Sequence, residues 1–286
     1  MIQSEKTISI RPVVEIDKKL LANLIHFETH VHRHLDWRAP LEWVGFSPCL
    51  VAEQNGKLVA TLVSPPDPPE IAWIRLFAVS AEVDIEDAWN LLWPAARAWL
   101  SQTPEMVIAA IPLQQWFHTL LETSGFQHVT DVKMLLWEHG NRIPLITEHS
   151  WLLRTMNQDD LSVVEKLDEA AFGPLWRNSL ESLKLAFQQA AVATVAEDDD
   201  GLVGYQISTA SPMGGHLARL AVDPEQQGKG IGFSLVLDTI SQFKRRGAQR
   251  VTVNTQQDNH ASLSLYLKAG FRETSEQYPV YLYQIE

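Results

Sequence analysis

The sequence predicts a mixed α/β protein of the α+β type, built twice. It reads as two tandem domains, each a mixed, mostly antiparallel central sheet flanked by helices with one parallel βαβ crossover. Three observations carry this. Short apolar strands alternate with amphipathic helices along 286 residues, a length that suits two domains. From Leu217 to Thr255 the chain runs strand, Gly-rich turn, helix, strand, and strands joined through a helix pair in parallel. The order of elements also recurs. Ala78-Val79 matches Ala221-Val222, and Leu120-Leu121-x-x-x-Gly125-Phe126 matches Leu265-Tyr266-x-x-x-Gly270-Phe271, at offsets of 143 and 145.

In the first half, Ile8 to Arg11 alternates as an outer strand. Ile16 to His30 carries Leu20, Leu21, Leu24 and Ile25 on one helical face. His30, His32 and His34 follow; with no cysteine or carboxylate-rich partner nearby, they read as solvated histidines in a loop rather than metal ligands. Cys49 to Glu53 and Leu58 to Val63 are strands joined by a hairpin turn at Asn55-Gly56. Ile71 to Val79 is a strand, Ala88 to Leu100 a Trp-rich helix, Val107 to Ile111 a strand, Trp116 to Leu121 a helix and Lys133 to Trp137 a strand. Aromatics at helical spacing belong to a core. A linker is expected near Gly140 to Pro144, which sets the domains at 1–145 and 146–286.

The second half opens with a strand from Ser150 to Met156 and a helix with Leu161, Val164, Leu167 and Ala171 on its apolar face. Phe172 to Trp176 is a bulky apolar loop, and Ser179 to Ala190 a second helix. Val192 to Ala196 and Leu202 to Thr209 flank an acidic hairpin. The crossover unit follows, then a helix from His260 to Lys268 and two closing strands, Phe271 to Thr274 and Val280 to Ile285.

The turn inside the crossover holds the strongest chemical signal. Gln227-Gly228-Lys229-Gly230-Ile231-Gly232 places three glycines in five residues just ahead of a helix. Glycine there permits close backbone approach, and a helix N-terminus with free N–H groups is an anion site suited to phosphate. The spacing is neither that of a P-loop nor that of a dinucleotide fingerprint. With the preceding Leu220-Ala221-Val222-Asp223-Pro224, it resembles the acetyl-CoA pyrophosphate loop of the GNAT superfamily of N-acetyltransferases. The later block Asn259-x-x-Ser262-x-x-Leu265-Tyr266-x-x-x-Gly270-Phe271 is similar to that family's second recurring motif, with Ser262 where alanine is usual.

The resemblance implies acetyl-CoA as co-substrate, no metal, and an amine acceptor on a small molecule or peptide. It implies that Gln227 to Gly232 and Asn259 serve the cofactor, and that main-chain N–H groups at Leu220, Ala221 and Val222 face the thioester oxygen as it becomes an oxyanion. Tyr266 stands where the family keeps its general acid. His216 lies on the strand that carries the family's catalytic base; an imidazole near pKa 6.5 suits that work, and a surface histidine beside Gly214-Gly215 is the alternative. Simple alternation sets His216, Ala218, Leu220 and Val222 on one face and Arg219 on the other.

The first copy reads as a degenerate version of the same domain. Lining up the Ala-Val pairs sets Asp84 against Gln227, Asp87 against Gly230 and Trp89 against Gly232, so carboxylates and a bulky ring stand where a pyrophosphate would. The net charge of −12 argues against nucleic-acid binding and suits either solubility or a cationic substrate. No stretch of about 18 apolar residues predicts a membrane span. The single cysteine, Cys49, reads as a small buried apolar residue and excludes an intrachain disulfide. That cysteine usage, with no apolar signal core at the N-terminus, gives a cytoplasmic expectation. A homo-oligomer stays open. The rival readings are an acyl-CoA-binding regulator and a scaffold, both without turnover.

Overall fold

The computed structural model describes residues 8–140 and 151–285. The expected linker and the 145/146 cut lie outside the described residues. Two compact units form, and their bounds differ from the expected halves: the first is made of two separate stretches and the second is one inner stretch. The first holds Met1–Val129 with Pro279–Glu286, the second Thr130–Tyr278.

The elements run in chain order: β1 (Ile8–Pro12), α1 (Lys18–Phe27), β2 (His30–Arg33), β3 (Cys49–Gln54), β4 (Lys57–Val63), β5 (Ile71–Trp73), β6 (Leu76–Val79), α2 (Ile85–Leu100), β7 (Val107–Ala110), α3 (Gln115–Thr123) and β8 (Gln127–Glu138). Then come β9 (Leu152–Thr155), α4 (Leu161–Ala171), α5 (Leu180–Gln188), β10 (Val192–Asp198), β11 (Gly201–Ser211), β12 (Gly214–Val222), α6 (Ile231–Arg245), β13 (Arg250–Gln256), α7 (His260–Lys268) and β14 (Arg272–Gln284). The mixed sheets are mostly antiparallel, as expected. Among the described residues each unit has one parallel strand pair bridged by a helix: β5 with β7 across α2, and β12 with β13 across α6.

The units break the sequence order because two strands are exchanged. In the first unit the end of β14 pairs with β7, Tyr281 opposite Ala110 through Gln284 opposite Val107. In the second, β8 pairs with β13 from Arg250 opposite Glu138 to Gln256 opposite Val132. The second unit's order is β14-β8-β13-β12-β11-β10-β9. The two closing strands expected from sequence are therefore one 13-residue strand, whose first part belongs to the second unit and whose last part belongs to the first.

The internal repeat extends to side chains. Arg11 grips Asp17 at 2.7 and 3.0 Å and Glu53 at 3.0 Å. Arg154 grips Asp160 at 2.8 and 2.9 Å and Glu197 at 2.7 Å. In both, the second carboxylate oxygen of the aspartate also accepts a main-chain N–H three residues earlier, from Val14 or Asn157.

The tryptophans Trp43, Trp89, Trp93 and Trp137 are buried as expected, while Trp99 is 39% exposed. Cys49 is buried, and burial pushes its thiol up to about 12. The histidine run departs from expectation: it is a strand, not a solvated loop. His32 is buried, its Nε2 lies 3.1 Å from Ile74 O, and its ring stacks on Phe117 at 4.0 Å. His34 stacks on Trp73 at 4.7 Å. Burial lowers His32 from 6.5 to about 4 and lowers His34 well below 6.5. A histidine kept neutral by folding favours the unfolded chain once the medium can protonate it, so stability falls as pH drops from about 6.5 toward 4. For His32 that is about 3 kcal/mol. We expect denaturant midpoints to decline across that window and His32→Phe to flatten the decline; an equally steep decline in His32→Phe counts against this origin.

No helix among the described residues is long and apolar enough to cross a membrane.

Candidate functional site

The site begins where β12 and β13 part. They pair in parallel for three rungs only, Gly215 with Val251, His216 with Thr252 and Leu217 with Val253. At that point β12 bulges: Ser208 on β11 faces Leu217, and Ile207 faces Arg219, leaving Ala218 without an opposite partner. A bulge shifts the side-chain phase by one residue. Leu217, Leu220 and Val222 consequently pack with the α6 side of the sheet. Arg219 turns to the opposite face, where it meets α4, and so does His216. The uninterrupted alternation expected from sequence is thus corrected, because it put His216 with Leu220 and Val222 and apart from Arg219.

The main chain of β12 beyond the bulge has a defined polarity. Asp223 N–H donates to Val203 O at 3.0 Å. Antiparallel pairing alternates, so residues 223, 221 and 219 exchange bonds with β11, and Leu220 and Val222 turn their N–H and C=O groups to the open side. Of the three donors expected at 220 to 222, Leu220 and Val222 face the gap, and Ala221 faces β11.

The Gly-rich turn leads into α6. Gln227 Nε2 donates to Val222 O at 3.2 Å and ties the turn to the strand end. Gly228 and Gly230 have φ of +80° and +100°, the left-handed region that favours glycine. Gly230 is the N-cap of α6 and no side chain caps that end. The first-turn N–H groups thus lack a side-chain acceptor, and the loop through Lys229 is exposed. A Cβ on Gly228 meets nothing within 4 Å, and one on Gly230 meets only the Trp151 ring at 3.8 Å. This end of the helix fits a phosphate group. Ile231 is buried and anchors the helix. Gly232 contributes backbone alone; a Cβ there makes ordinary contacts of 3.4 and 3.5 Å.

Asn259 is the N-cap of α7, its side chain accepting from Ser262 N at 3.0 Å. Its oxygen is therefore committed to starting the helix that carries Tyr266. Tyr266 is buried against Phe271, with ring centroids 5.7 Å apart. Burial raises its phenol above the ordinary 10.0, and the charge of Arg219 pulls the other way. His216 Nδ1 lies 2.9 Å from Thr252 Oγ1, and burial lowers its pKa below 6.5. At neutral pH the ring is uncharged, with Nε2 left for other work. The structure shows no hydrogen bond between His216 and Tyr266.

Sequence reading expected Arg219 to pair with a carboxylate or to cover the opposite face, but it missed Asp168, the most buried part of this region. Arg219 donates to both oxygens of Asp168, at 2.6 and 2.7 Å, and to Trp176 O at 2.7 Å. Its guanidinium lies 3.5 Å from the centroid of Phe172. Asp168 is fully buried and also accepts from Tyr205 Oη and, at 2.7 Å, from Asn178 N. The signal was present: Asp168 stands four residues after Val164, on the apolar face of its helix, where a charge needs a buried partner. On β13, one residue past the last paired rung, Asn254 keeps a buried Oδ1 with no partner.

The first unit repeats this geometry: Val79 and Ala78 face Ala60 and Thr61 as Val222 and Ala221 face Gly204 and Tyr205, so the Ala-Val pairs correspond at the offset of 143 expected from sequence. Its parallel pair likewise has three rungs, Ile71 with Val107 through Trp73 with Ala109, and Ala72 with Ile108 answers Gly215 with Val251. Leu76, opposite Val63 as Arg219 is opposite Ile207, takes the place of Arg219, and the neighbouring Arg75 bonds Asp36 at 3.0 Å. Phe77, opposite Leu62 as Leu220 is opposite Gln206, stands at the place of Leu220. By the caps of α3 and α7, Gln114 and Asn259, Phe117 stands at that of Ser262. Both phenylalanines are fully buried, and their rings pack with Trp89 and His32. The helix caps correct the earlier line-up: Asp84 caps α2 as Gly230 caps α6, so Asp84 answers Gly230, not Gln227. Trp89 then answers Leu235 and is core. Asp84 accepts from Glu86 N and Asp87 N at 2.9 and 3.3 Å, so the chain's own carboxylate already takes the anion position.

Comparisons with known proteins agree with this geometry. The acetyltransferase (GNAT) family matches residues 161–271. N-alpha-acetyltransferase 30 of Schizosaccharomyces pombe is 32% identical over 93 residues, 31% of this chain and 62% of that protein. A mycothiol acetyltransferase of Kocuria rhizophila is 31% identical over 86 residues, 28% of each chain. The chain thus spans less than two thirds of either relative. A tandem GNAT protein from the clavulanic acid biosynthesis pathway has the same fold with a TM-score of 0.65 at 17% identity, covering 97% of this chain and 98% of that one.

Proposed function

From the GNAT-family acetyltransferase domain that this chain carries at residues 161–271, we propose that it is an acetyl-CoA-dependent N-acetyltransferase acting on a primary amine of a small molecule or peptide. The second unit carries the chemistry, and the first is a degenerate copy that takes no CoA. The observation that carries the reading is the pairing of an uncapped, Gly-opened helix end at Gly230 with the parting of β12 and β13. One element suits a pyrophosphate, and the other leaves main-chain groups of Leu220 and Val222 for an acyl-bearing arm. No group of three His, Cys, Asp or Glu residues suited to a metal occurs among the described residues.

Acetyl-CoA supplies the activated acyl group. The N–H groups at the start of α6, with Gln227 to Gly232, hold its phosphates, and Asn259 acts by capping α7. Leu220 and Val222 offer donors to the developing oxyanion. His216, neutral at working pH, receives the proton of the amine through Nε2 while Thr252 orients the ring. Tyr266 gives a proton to the departing thiolate. Its raised pKa keeps it protonated at every working pH and reduces the driving force for donation.

Calorimetry tests the assignment. One acetyl-CoA per chain is expected. Gly230→Asp should weaken binding at least tenfold, about 1.4 kcal/mol, because it copies the carboxylate cap of the first unit. Asp84→Gly should create no second site, since the buried rings of Phe77 on β6 and Phe117 on α3 still pack against each other and Trp89. Two equivalent sites in the unaltered chain, or full affinity in a folded Gly230→Asp, defeat the reading. An amine panel read by free thiol release then identifies the acceptor class, and no release with any amine favours a CoA-binding regulator.

A further inference from the structure

The first unit does not leave its gap open. Its parallel pair ends with Trp73 opposite Ala109, and Ile74 N–H reaches Ala109 O at 2.8 Å. Beyond that point the chain leaves β7 as β6, just as β12 leaves β13. In the second unit the edge so freed carries the main-chain groups of Leu220 and Val222. In the first, β2 lies along it antiparallel, from His30 opposite Val79 to Arg33 opposite Leu76. His34 N–H donates to Arg75 O at 2.9 Å. Alternation then gives bonded pairs at Phe77 with His32 and at Val79 with His30. Phe77 and Val79 answer Leu220 and Val222, so β2 satisfies the groups that the second unit leaves for an arm. The helix α3, counterpart of α7, covers β2: the His32 ring stacks on Phe117 at 4.0 Å, and His30 meets Trp116 edge-on at 5.4 Å. After α4 the second unit runs through a loop into α5, whereas after α1 the first turns back within two residues into β2.

We propose that the gap of the first unit is a slot for an extended, amide-bearing chain, and that β2 is its internal occupant, an autoinhibitory strand that closes this copy. This rests on the reading of the β12–β13 gap as the place of an acyl-bearing arm. An open strand edge takes up an extended chain through main-chain bonds. Phe77 and Val79 are buried, so their N–H and C=O groups need partners. A segment tethered two residues from α1 reaches them at high effective concentration, and a free ligand competes poorly. The closure is independent of Asp84: that carboxylate takes the phosphate position at the helix end, and the strand takes the place of the arm.

His30→Pro with His32→Pro removes both donors to β6 and forbids the pairing. In the full chain, read by NMR, the amides of Phe77 and Val79 should exchange at least tenfold faster than in the unaltered protein, with β3 and β4 unchanged. A peptide copying residues 28–35 should restore their protection in the variant and leave the unaltered chain unaffected. S-acetylpantetheine, an acyl arm without phosphate, should compete with that peptide. A variant whose first unit unfolds shows β2 to be core rather than occupant and overturns the proposal. So does a folded variant that takes up neither ligand, or one that binds the peptide without competition. The unaltered chain gives a check free of substitutions: the amides of His30, His32, Phe77 and Val79 should exchange together, at least tenfold faster than those of β3 and β4. Equal rates overturn the proposal. If acetyl-CoA does not bind the second unit at all, the acetyltransferase reading fails there, and the peptide result still decides whether β2 occupies a slot.

Discussion

Tyr266→Phe is expected to bind acetyl-CoA with nearly unchanged affinity and to turn over roughly 10²–10⁴-fold more slowly, the range for a lost general acid. The ring is buried in the cluster with Phe271, Val236 and Leu237, so phenylalanine fills the same space, and only the hydroxyl is lost. His216→Ala should fail differently. The unaltered enzyme should gain activity with rising pH through an apparent pKa below 6.5, because burial favours the neutral imidazole. The variant should lose that limb and keep activity mainly at high pH, where free amine is abundant. Stopped-flow thiol release across pH separates the two. A wild-type rate in Tyr266→Phe, where chemistry limits turnover, removes the phenol from the mechanism. An intact acidic limb in His216→Ala moves the base to another group.

Cutting the chain after residue 145 should yield no folded second half, whereas residues 130–278 should fold and bind acetyl-CoA. The fragment 146–286 lacks the stretch Thr130–Glu138, which pairs with β13 over seven residues. It also loses Leu135 and Trp137, both fully buried in the second unit's core. Burial of a side chain of leucine size contributes about 1.5–3 kcal/mol, and the whole domain is stable by only about 5–15 kcal/mol. The bare edge of β13 would in addition invite aggregation. Circular dichroism melts of the two fragments decide the matter: a cooperative transition in 146–286, with full acetyl-CoA affinity, would mean that the exchanged strand is dispensable.

What the sequence determined by itself was local. Periodicity placed α2, α4, α6 and α7. The glycines at 228 and 230 marked a left-handed turn ahead of an uncapped helix, and the block from Asn259 to Phe271 gave a capped helix carrying Tyr266. The recurrence of element order gave the duplication. These features are legible because each is written in residues a few positions apart, through side-chain spacing, capping and backbone freedom. What only the tertiary structure decided was non-local. β14 read as two strands because nothing within Arg272 to Gln284 says that its two ends serve different sheets. The bulge at Ala218 changed the phase of β12, and that depends on how β11 registers against it. Asp168 and Arg219 lie 51 residues apart, and neither alone names its partner. That Asp84 answers Gly230 and not Gln227 showed itself only once the helix caps were in place. Strand pairing and buried ion pairs are chosen among distant segments by the packing of the whole chain, so their energy is not contained in any local stretch.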